Sequence, residues 1–359
     1  MVAAGLAVFI ACLPALSGWG PVRNWMLGQV TGKVRGQLTA DALHIGWRTP
    51  LSIEGLRLVA PDGTEVITIP RCSGDRSLGQ ILFSPTSLGN YRFESPRLHV
   101  RLRPGGSNLA DAFARRAPSV AAPLTSRVAE TVRRRVSVSA ELSDGVLEFQ
   151  GEPGGVPWTL GDLNLRIGLH RPTWQNPRSY VVLDSGRLLD HIQVTPEITR
   201  DLLRFIAPIL SQATTSEGSF SLSTAGAVFP LDAPRDGFCR GELDIHEIRG
   251  GPGPLVRELA TVLRIPPEVQ LVEESRITFQ LRDRKVRHKG LRFKLGRTRI
   301  ATSGEVGLDE SIQLLVEIRL PDQPREGDPV LPERIARFLR GRTVKIPFRG
   351  TLRQPRIDW

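Results

Sequence analysis

Apolar and polar residues alternate along most of the chain after residue 30. Leu51–Leu58 alternates with one break at Gly55, and dense alternation returns at Ile277–Leu281 and Leu291–Leu295. A period of two residues is typical of strands that cover one face and expose the other to water. The pattern predicts a mainly β protein with roughly 15–20 strands joined by many turns.

Two turns carry specific signals. Pro61-Asp62-Gly63 combines a residue with a preset φ and a glycine that accepts a positive φ. Ser143-Asp144-Gly145 separates the apolar stretches Val136–Leu142 and Val146–Gln150, which predicts a hairpin between two strands.

A few short helices interrupt the strands. Thr195 followed by Pro196 is typical of a helix start, with Thr195 as N-cap and Pro196 in the first turn. Ile198, Leu202 and Ile209 then recur at helical spacing. Further short helices are predicted at Leu109–Arg116, Pro254–Leu263 and Pro332–Leu339, and Leu78–Phe83 is predicted as a short helix or a loop.

The first 22 residues contain no charged side chain, and about 20 apolar residues span a bilayer as a helix. We favour a single-pass membrane anchor, with Trp19 and Trp25 where an interfacial aromatic belt would lie. Two alternatives remain: a signal peptide cleaved near Ala15-Leu16-Ser17, and a buried helix. The positive charges follow the segment, starting at Arg23, which opposes export of the body by the charge rule.

Composition suggests how the rest is divided. Pro118, Pro123 and several alanines lead into the basic run 133–135, which is typical of a linker or surface helix. We predict an anchor or signal segment at 1–30, an N-terminal β region at 31–116, a linker or helix at 117–135, and a C-terminal β region at 136–359.

The chain of 359 residues carries a formal net charge of +11, which favours anionic partners such as anionic lipid or nucleic acid. The basic residues mostly alternate with apolar ones, as in Arg97–Arg103, which is typical of the solvated face of a strand. Aromatic residues are only 6%, and no basic–aromatic cluster suits base stacking. We therefore expect no nucleic-acid partner.

The sequence contains no G-x-S-x-G elbow, P-loop, G-x-G-x-x-G or H-E-x-x-H motif, and its cysteines have no C-x-x-C spacing. The six histidines are widely spaced, and Asp184, Asp190 and His191 lie near one another with no nucleophile evident beside them. We expect a protein that is not an enzyme, with no catalytic, cofactor-binding or metal-binding residues. Cys72 and Cys239 could pair if the chain is exported, or be separate small core residues.

About five short helices are too few to cover all the predicted strands. An uncovered apolar face costs roughly 25 cal/mol per Å², so it favours binding of lipid or of a partner protein. The candidate residues for a lipid groove are Leu98, Val100, Leu102, Leu291, Phe293 and Leu295.

Several sequence stretches resemble the AsmA family, which includes TamB-like and YhdP-like proteins. The resemblance rests on Pro50–Leu58 after an uncharged leader, on Ser95–Val100 followed by Gly105–Leu109, and on the ending Ile346–Asp358. The last reads I-P-x-x-G-T-L-x-x-P-x-I-D. The middle of the chain, 117–270, matches loosely.

The resemblance implies an elongated, curved antiparallel β-sheet or groove, anchored in the inner membrane by one helix with the body in the periplasm. Such relatives are linked to lipid transport or to outer-membrane assembly, and no catalytic residues come with the family. We expect a cell-envelope protein with membrane phospholipid as its partner. The alternative is a non-enzymatic envelope scaffold that binds a protein.

Overall fold

The chain is mainly β, as the alternation predicts. The computed structural model describes residues 18–32, 34–83, 89–103, 106–114, 130, 132, 138–151, 155–170, 178–211, 216–263, 269–271, 275–295, 298–319 and 343–358. These residues form 20 strands and a few short helices. Two compact units are present: residues 1–184 with 227–236, and residues 185–226 with 237–359.

The α-helical segments with described bounds have 3 to 12 residues. They are α1 (Gly20–Thr31), α2 (Leu78–Phe83), α3 (Asn108–Phe113), α4 (Pro196–Ile198), α5 (Arg204–Ile206) and α6 (Pro254–Leu263). A π-helical turn spans Thr199–Leu203, and short 3-10 turns occupy Pro208–Leu210 and Pro234–Asp236.

The first unit contains the strands of the N-terminal half. They are β1 (Gln37–Thr39), β2 (Ala42–His44), β3 (Pro50–Val59), β4 (Glu65–Ser77), β5 (Asn90–Glu94), β6 (Arg97–Arg103), β7 (Gly106–Ser107), β8 (Val138–Gln150), β9 (Trp158–His170) and β10 (Tyr180–Leu183).

Most neighbours in this unit pair antiparallel. Strand β3 pairs with β1, β2 and β4, and β9 pairs with β8 and β10. The predicted turn at Pro61–Gly63 is confirmed: Gly63 has φ +83°, and the Asp62 carboxylate accepts from the Thr64 backbone N–H at 3.0 Å. This turn joins β3 to β4.

The predicted antiparallel order fails at β8. Strands β5 and β6 both run parallel to it, β5 beside its first half and β6 beside its second. The predicted hairpin at Ser143–Gly145 is therefore wrong, because β8 continues through these residues. Asp144 does adopt a left-handed φ of +54°, but the result is a bulge in the pairing with β9.

The second unit contains the remaining strands, with β12 divided between the two units after Gly226. They are β11 (Gly186–Gln193), β12 (Ser216–Pro230), β13 (Phe238–Gly250), β14 (Val269–Leu271), β15 (Ser275–Arg282), β16 (Lys285–Leu295), β17 (Thr298–Gly307), β18 (Ser311–Arg319), β19 (Thr343–Thr351) and β20 (Pro355–Ile357). From β15 to β20, successive strands pair antiparallel as a meander.

One face of this meander is closed. Phe293, Ile300 and Ile318 lie opposite one another on three strands and are 0–2% exposed. Helix α5 contacts β16 and β17, and the Arg204 guanidinium donates to Glu310 at 2.7 Å. The inward residues of these strands therefore form an ordinary covered core.

The predicted helix start at Thr195 is confirmed: its hydroxyl accepts from the Ile198 backbone N–H at 3.3 Å, and Pro196 opens the helix. The helix does not continue regularly to Ile209. It passes through the π-helical turn and ends before the 3-10 turn that begins at Pro208, because proline has no N–H to continue the helical ladder.

Several predictions fall outside the residues that the structure describes. They include residues 1–17 of the predicted anchor, the helix at Pro332–Leu339, and the linker at 117–135 apart from Glu130 and Val132. Within the described ranges, no helix combines the length and the apolar character needed to cross a membrane.

Candidate functional site

A row of apolar residues crosses six strands of the first unit. Backbone register places these residues opposite one another in turn, on β2, β3, β4, β5, β8 and β9. The members of this apolar row A are Leu43, Ile53, Cys72, Phe93, Leu142 and Leu165. Only Leu43 and Cys72 are buried, and the other four are half-buried.

A second row has the same character. Its members also lie opposite one another in register, on β1, β3, β4, β6, β8 and β9. The members of apolar row B are Leu38, Leu58, Ile67, Leu98, Leu147 and Leu160. Leu58 and Leu160 are buried and the rest are half-buried.

Helix α3 covers part of row B. Leu58 belongs to a buried cluster with Val66 and Ala112. The side chains that pack against this cluster come from row B and from the helix, and are Leu38, Ile67, Leu98, Leu109 and Phe113. The helix is held there by Asn108, whose side-chain amide donates to the His99 carbonyl at 2.8 Å. Four of the six residues of row B thus belong to this cluster or pack against it, and Leu147 is the half-buried residue of the row outside it.

The candidate groove residues on β6 belong to this surface. Leu98, Val100 and Leu102 alternate along the strand and all three are half-buried. Leu98 is part of row B, and Val100 lies opposite Phe149 on β8. The Phe149 ring packs against Trp158 with centroids 5.0 Å apart.

The candidate groove residues on β16 have a different environment. Leu291, Phe293 and Leu295 lie in the second unit and are each 0% exposed. The residues between them, Arg292 and Lys294, face outward. The structure therefore places this half of the predicted groove inside a closed core and does not bring it to the surface.

Exposed aromatic residues follow the apolar N-terminal segment. Trp19 and Trp25 are 61% and 65% exposed, at the start and within α1. Arg23 between them donates to the Asp41 carbonyl, which ties α1 to the first unit. Tryptophan side chains of this kind are enriched where a protein meets the membrane–water interface.

Ser221 is the centre of a polar cluster in the second unit. Its hydroxyl donates to the Asp190 carboxylate at 3.0 Å and accepts from the His191 backbone N–H at 3.0 Å. His246 Nε2 lies 3.0 Å from the same oxygen. The His191 and His246 rings are stacked, with centroids 4.5 Å apart.

This cluster contains the residue types of a serine hydrolase but not their arrangement. A hydroxyl has one proton to donate, and Ser221 donates it in the hydrogen bond to the Asp190 carboxylate. His246 must then donate to Ser221, so it cannot remove a proton from it. Ser221 is also only 3% exposed. The hydrogen bond from Ser221 is the main cause that lowers the pKa of Asp190, and the cluster is a structural hub.

The sequence grouped Asp184, Asp190 and His191, and the structure brings only two of them together. The His191 ring lies 3.0 Å from the Asp190 carboxylate, whereas Asp184 belongs to the first unit. Ser221 and His246 were missed because they lie 30 and 55 residues beyond His191 in the sequence. Alternation within β12 and β13 indicates their face but not their neighbours.

Each unit also carries a groove on its described surface. The groove in the first unit, about 650 Å³, is lined by polar and charged residues such as Asp75, Arg92 and Glu141. The groove in the second unit, about 520 Å³, includes Arg240, Arg287 and Lys289. None of the six candidate groove residues lines either one.

The cysteines and possible metal ligands add no further site. Cys72 and Cys239 are both free thiols, so the pairing considered from the sequence is not formed. Burial raises the pKa of Cys72 to about 12 and that of Cys239 to about 11. In the part of the chain that the structure describes, no three His, Cys, Asp or Glu side chains converge as metal ligands.

Comparison with known proteins gives no relative. No family model, curated protein sequence or solved structure matches the chain.

Proposed function

We propose that this protein is a membrane-attached, AsmA-like envelope protein that binds phospholipid along the first unit. The observation that carries the proposal is the pair of apolar rows A and B. Each crosses six strands, and in each four of the six side chains are only half-buried. By contrast, the inward-facing residues Phe293, Ile300 and Ile318 of the second unit are buried.

The length of the rows suits an acyl chain. Six strands spaced about 4.8 Å apart span roughly 24 Å. An acyl chain fills one leaflet, which is half of a hydrocarbon core of about 30 Å, so it is shorter than a row. An acyl chain can therefore lie along a row and remove its half-buried side chains from water. Burial of apolar area is the driving force.

The proposed location follows from the N-terminal segment. In this proposal, residues 1–22 form a single-pass anchor in the inner membrane, Trp19 and Trp25 lie at the interface, and the body lies in the periplasm. A topology reporter fused after Trp359 tests the orientation. Activity of a reporter that works only in the cytoplasm would refute the periplasmic placement.

Native mass spectrometry after mild detergent extraction tests lipid binding. Leu165→Gln places a polar side chain in row A, whereas Thr159→Gln makes an exposed change on the same strand, β9. We expect phospholipid to accompany the unaltered chain and Thr159→Gln, and to be reduced in Leu165→Gln, which alters row A alone. Co-purification of a stoichiometric protein without lipid would support the scaffold alternative instead.

A further inference from the structure

A line of basic residues crosses the second unit at the ends of its strands. Register places Arg249 on β13 opposite Gln270, Gln270 opposite Lys294, Lys294 opposite Arg299, and Arg299 opposite Arg319. We call these positions the basic row. Lys294 and Arg249 are next to last in their strands, Arg299 is second in its strand, and Arg319 is last.

The cations of this row whose side chains the structure describes are Arg249, Lys294 and Arg299. Arg249, Lys294 and Arg299 form no ion pair with any residue that the structure describes, and Arg249 and Arg299 are exposed. Lys294 and Arg299 lie directly opposite each other, where side chains start about 5 Å apart and like charges destabilise the pair. Repulsion between Lys294 and Arg299 therefore destabilises the folded state at this position.

The other end of β16 shows the contrasting pattern. Lys285 and Arg287 both pair with Glu305 of β17, at 3.4 and 2.6 Å. Glu317, two residues before Arg319 on β18, is paired with Lys345 at 3.3 Å. Lys285 and Arg287 thus share a carboxylate, whereas Arg249, Lys294 and Arg299 have no ion pair with a described residue.

We propose that the basic row is a docking surface for an anionic bilayer. It crosses five strands, or about 19 Å at roughly 4.8 Å per strand gap, so its charges are spread along a line. One free phosphate ion would need donors that converge on a point. A bilayer surface instead presents many phosphates in a plane, and a line of strand ends can lie against it.

The proposal is separate from the apolar rows. Those rows belong to the first unit and would bind acyl chains, whereas the basic row belongs to the second unit and recognises headgroup charge. Each can therefore fail without the other, and the two have different readouts: lipid carried through purification, and capture by vesicles.

Vesicle co-sedimentation tests the basic row. The full chain is embedded in neutral phosphatidylcholine nanodiscs, so that its N-terminal segment is occupied, and is mixed with phosphatidylcholine vesicles with or without phosphatidylglycerol. We expect capture only by the anionic vesicles, with loss of capture at high salt, because screening weakens exposed charges.

Two double variants isolate the row from net charge. Lys294→Gln with Arg299→Gln removes two row charges, and Lys285→Gln with Arg349→Gln removes two charges elsewhere on the same face. One surface cation contributes about 1 kcal/mol to membrane attraction, so the row variant should bind roughly 30-fold more weakly. It should melt no lower than the unaltered chain, because it relieves the like-charge contact. The control variant should bind within about threefold of the unaltered chain.

Several results would overturn the proposal. They are equal capture by neutral and anionic vesicles, equal weakening in both double variants, and an unchanged affinity in the row variant. Competition by millimolar inorganic phosphate at constant ionic strength would indicate a free-phosphate site. Binding of an acidic polypeptide without binding of anionic vesicles would indicate a protein partner.

Discussion

His288 makes the stability of the second unit depend on pH. The ring lies on β16, is 3% exposed, and neither ring nitrogen has a partner among the described residues. Burial lowers the pKa of His288 from 6.5 to about 4, because the charged form loses its hydration. The folded protein therefore binds this proton more weakly than the unfolded chain does.

The sign and size of the effect follow from this difference. As the pH falls below 6.5, the unfolded chain gains the proton first, so the free energy of unfolding decreases by about 1.4 kcal/mol per pH unit. The loss stops below about pH 4, where both states are protonated. Between pH 7.5 and 5, His288 should cost about 2 kcal/mol of stability.

Urea unfolding followed by circular dichroism measures this loss. His288→Leu should remove it, so the variant should lose about 2 kcal/mol less than the unaltered chain between pH 7.5 and 5. Asp62→Asn is a suitable control: bonds from Arg103 and Thr64 lower the pKa of Asp62 from 3.8 to about 2, so its effect belongs below about pH 4. If the unaltered chain and His288→Leu lost the same free energy of unfolding between pH 7.5 and 5, protonation of His288 would not be the cause of the loss.

Three further predictions test the fold. Phe293→Ala should lower the free energy of unfolding by about 3–5 kcal/mol in urea titrations, because its side chain is 0% exposed and a cavity remains; a loss below about 1 kcal/mol would contradict a closed core. Thr195→Ala should cost about 1 kcal/mol through the lost helix cap, whereas an unchanged stability would mean that the cap contributes nothing. In a chain with Cys12→Ser, Cys72 and Cys239 should react slowly with a thiol reagent at pH 7.5 and quickly in urea, since burial raises both pKa values; fast reaction of that native protein would contradict this.

Local signals in the sequence predicted local features well. The cap at Thr195 and the turn at Pro61–Gly63 each depend on residues within a few positions of one another, and both are confirmed. The mainly β composition follows from alternation for the same reason. Asp144 does adopt a left-handed conformation, yet the predicted hairpin is a bulge in β8, because the pairing of this segment is set by β5, β6 and β9.

Pairing between distant segments could not be predicted. Alternation shows which residues share a face but not which strand lies beside it, so the parallel pairing of β5 and β6 with β8 was missed. For the same reason, alternation could not show that the groove candidates on β6 and those on β16 have different environments. Leu98 and Phe293 have the same pattern in the sequence, but only Phe293 is fully covered.

Site-specific photo-crosslinking is the most direct test of whether phospholipid lies along apolar row A. A benzophenone amino acid is placed at Leu165, in apolar row A, or at Thr159, on the exposed face of β9, and the membranes that hold the full chain are irradiated. We expect a phospholipid adduct at Leu165 and none at Thr159. Adducts with lipid at neither position, or only with a polypeptide at Leu165, would contradict it.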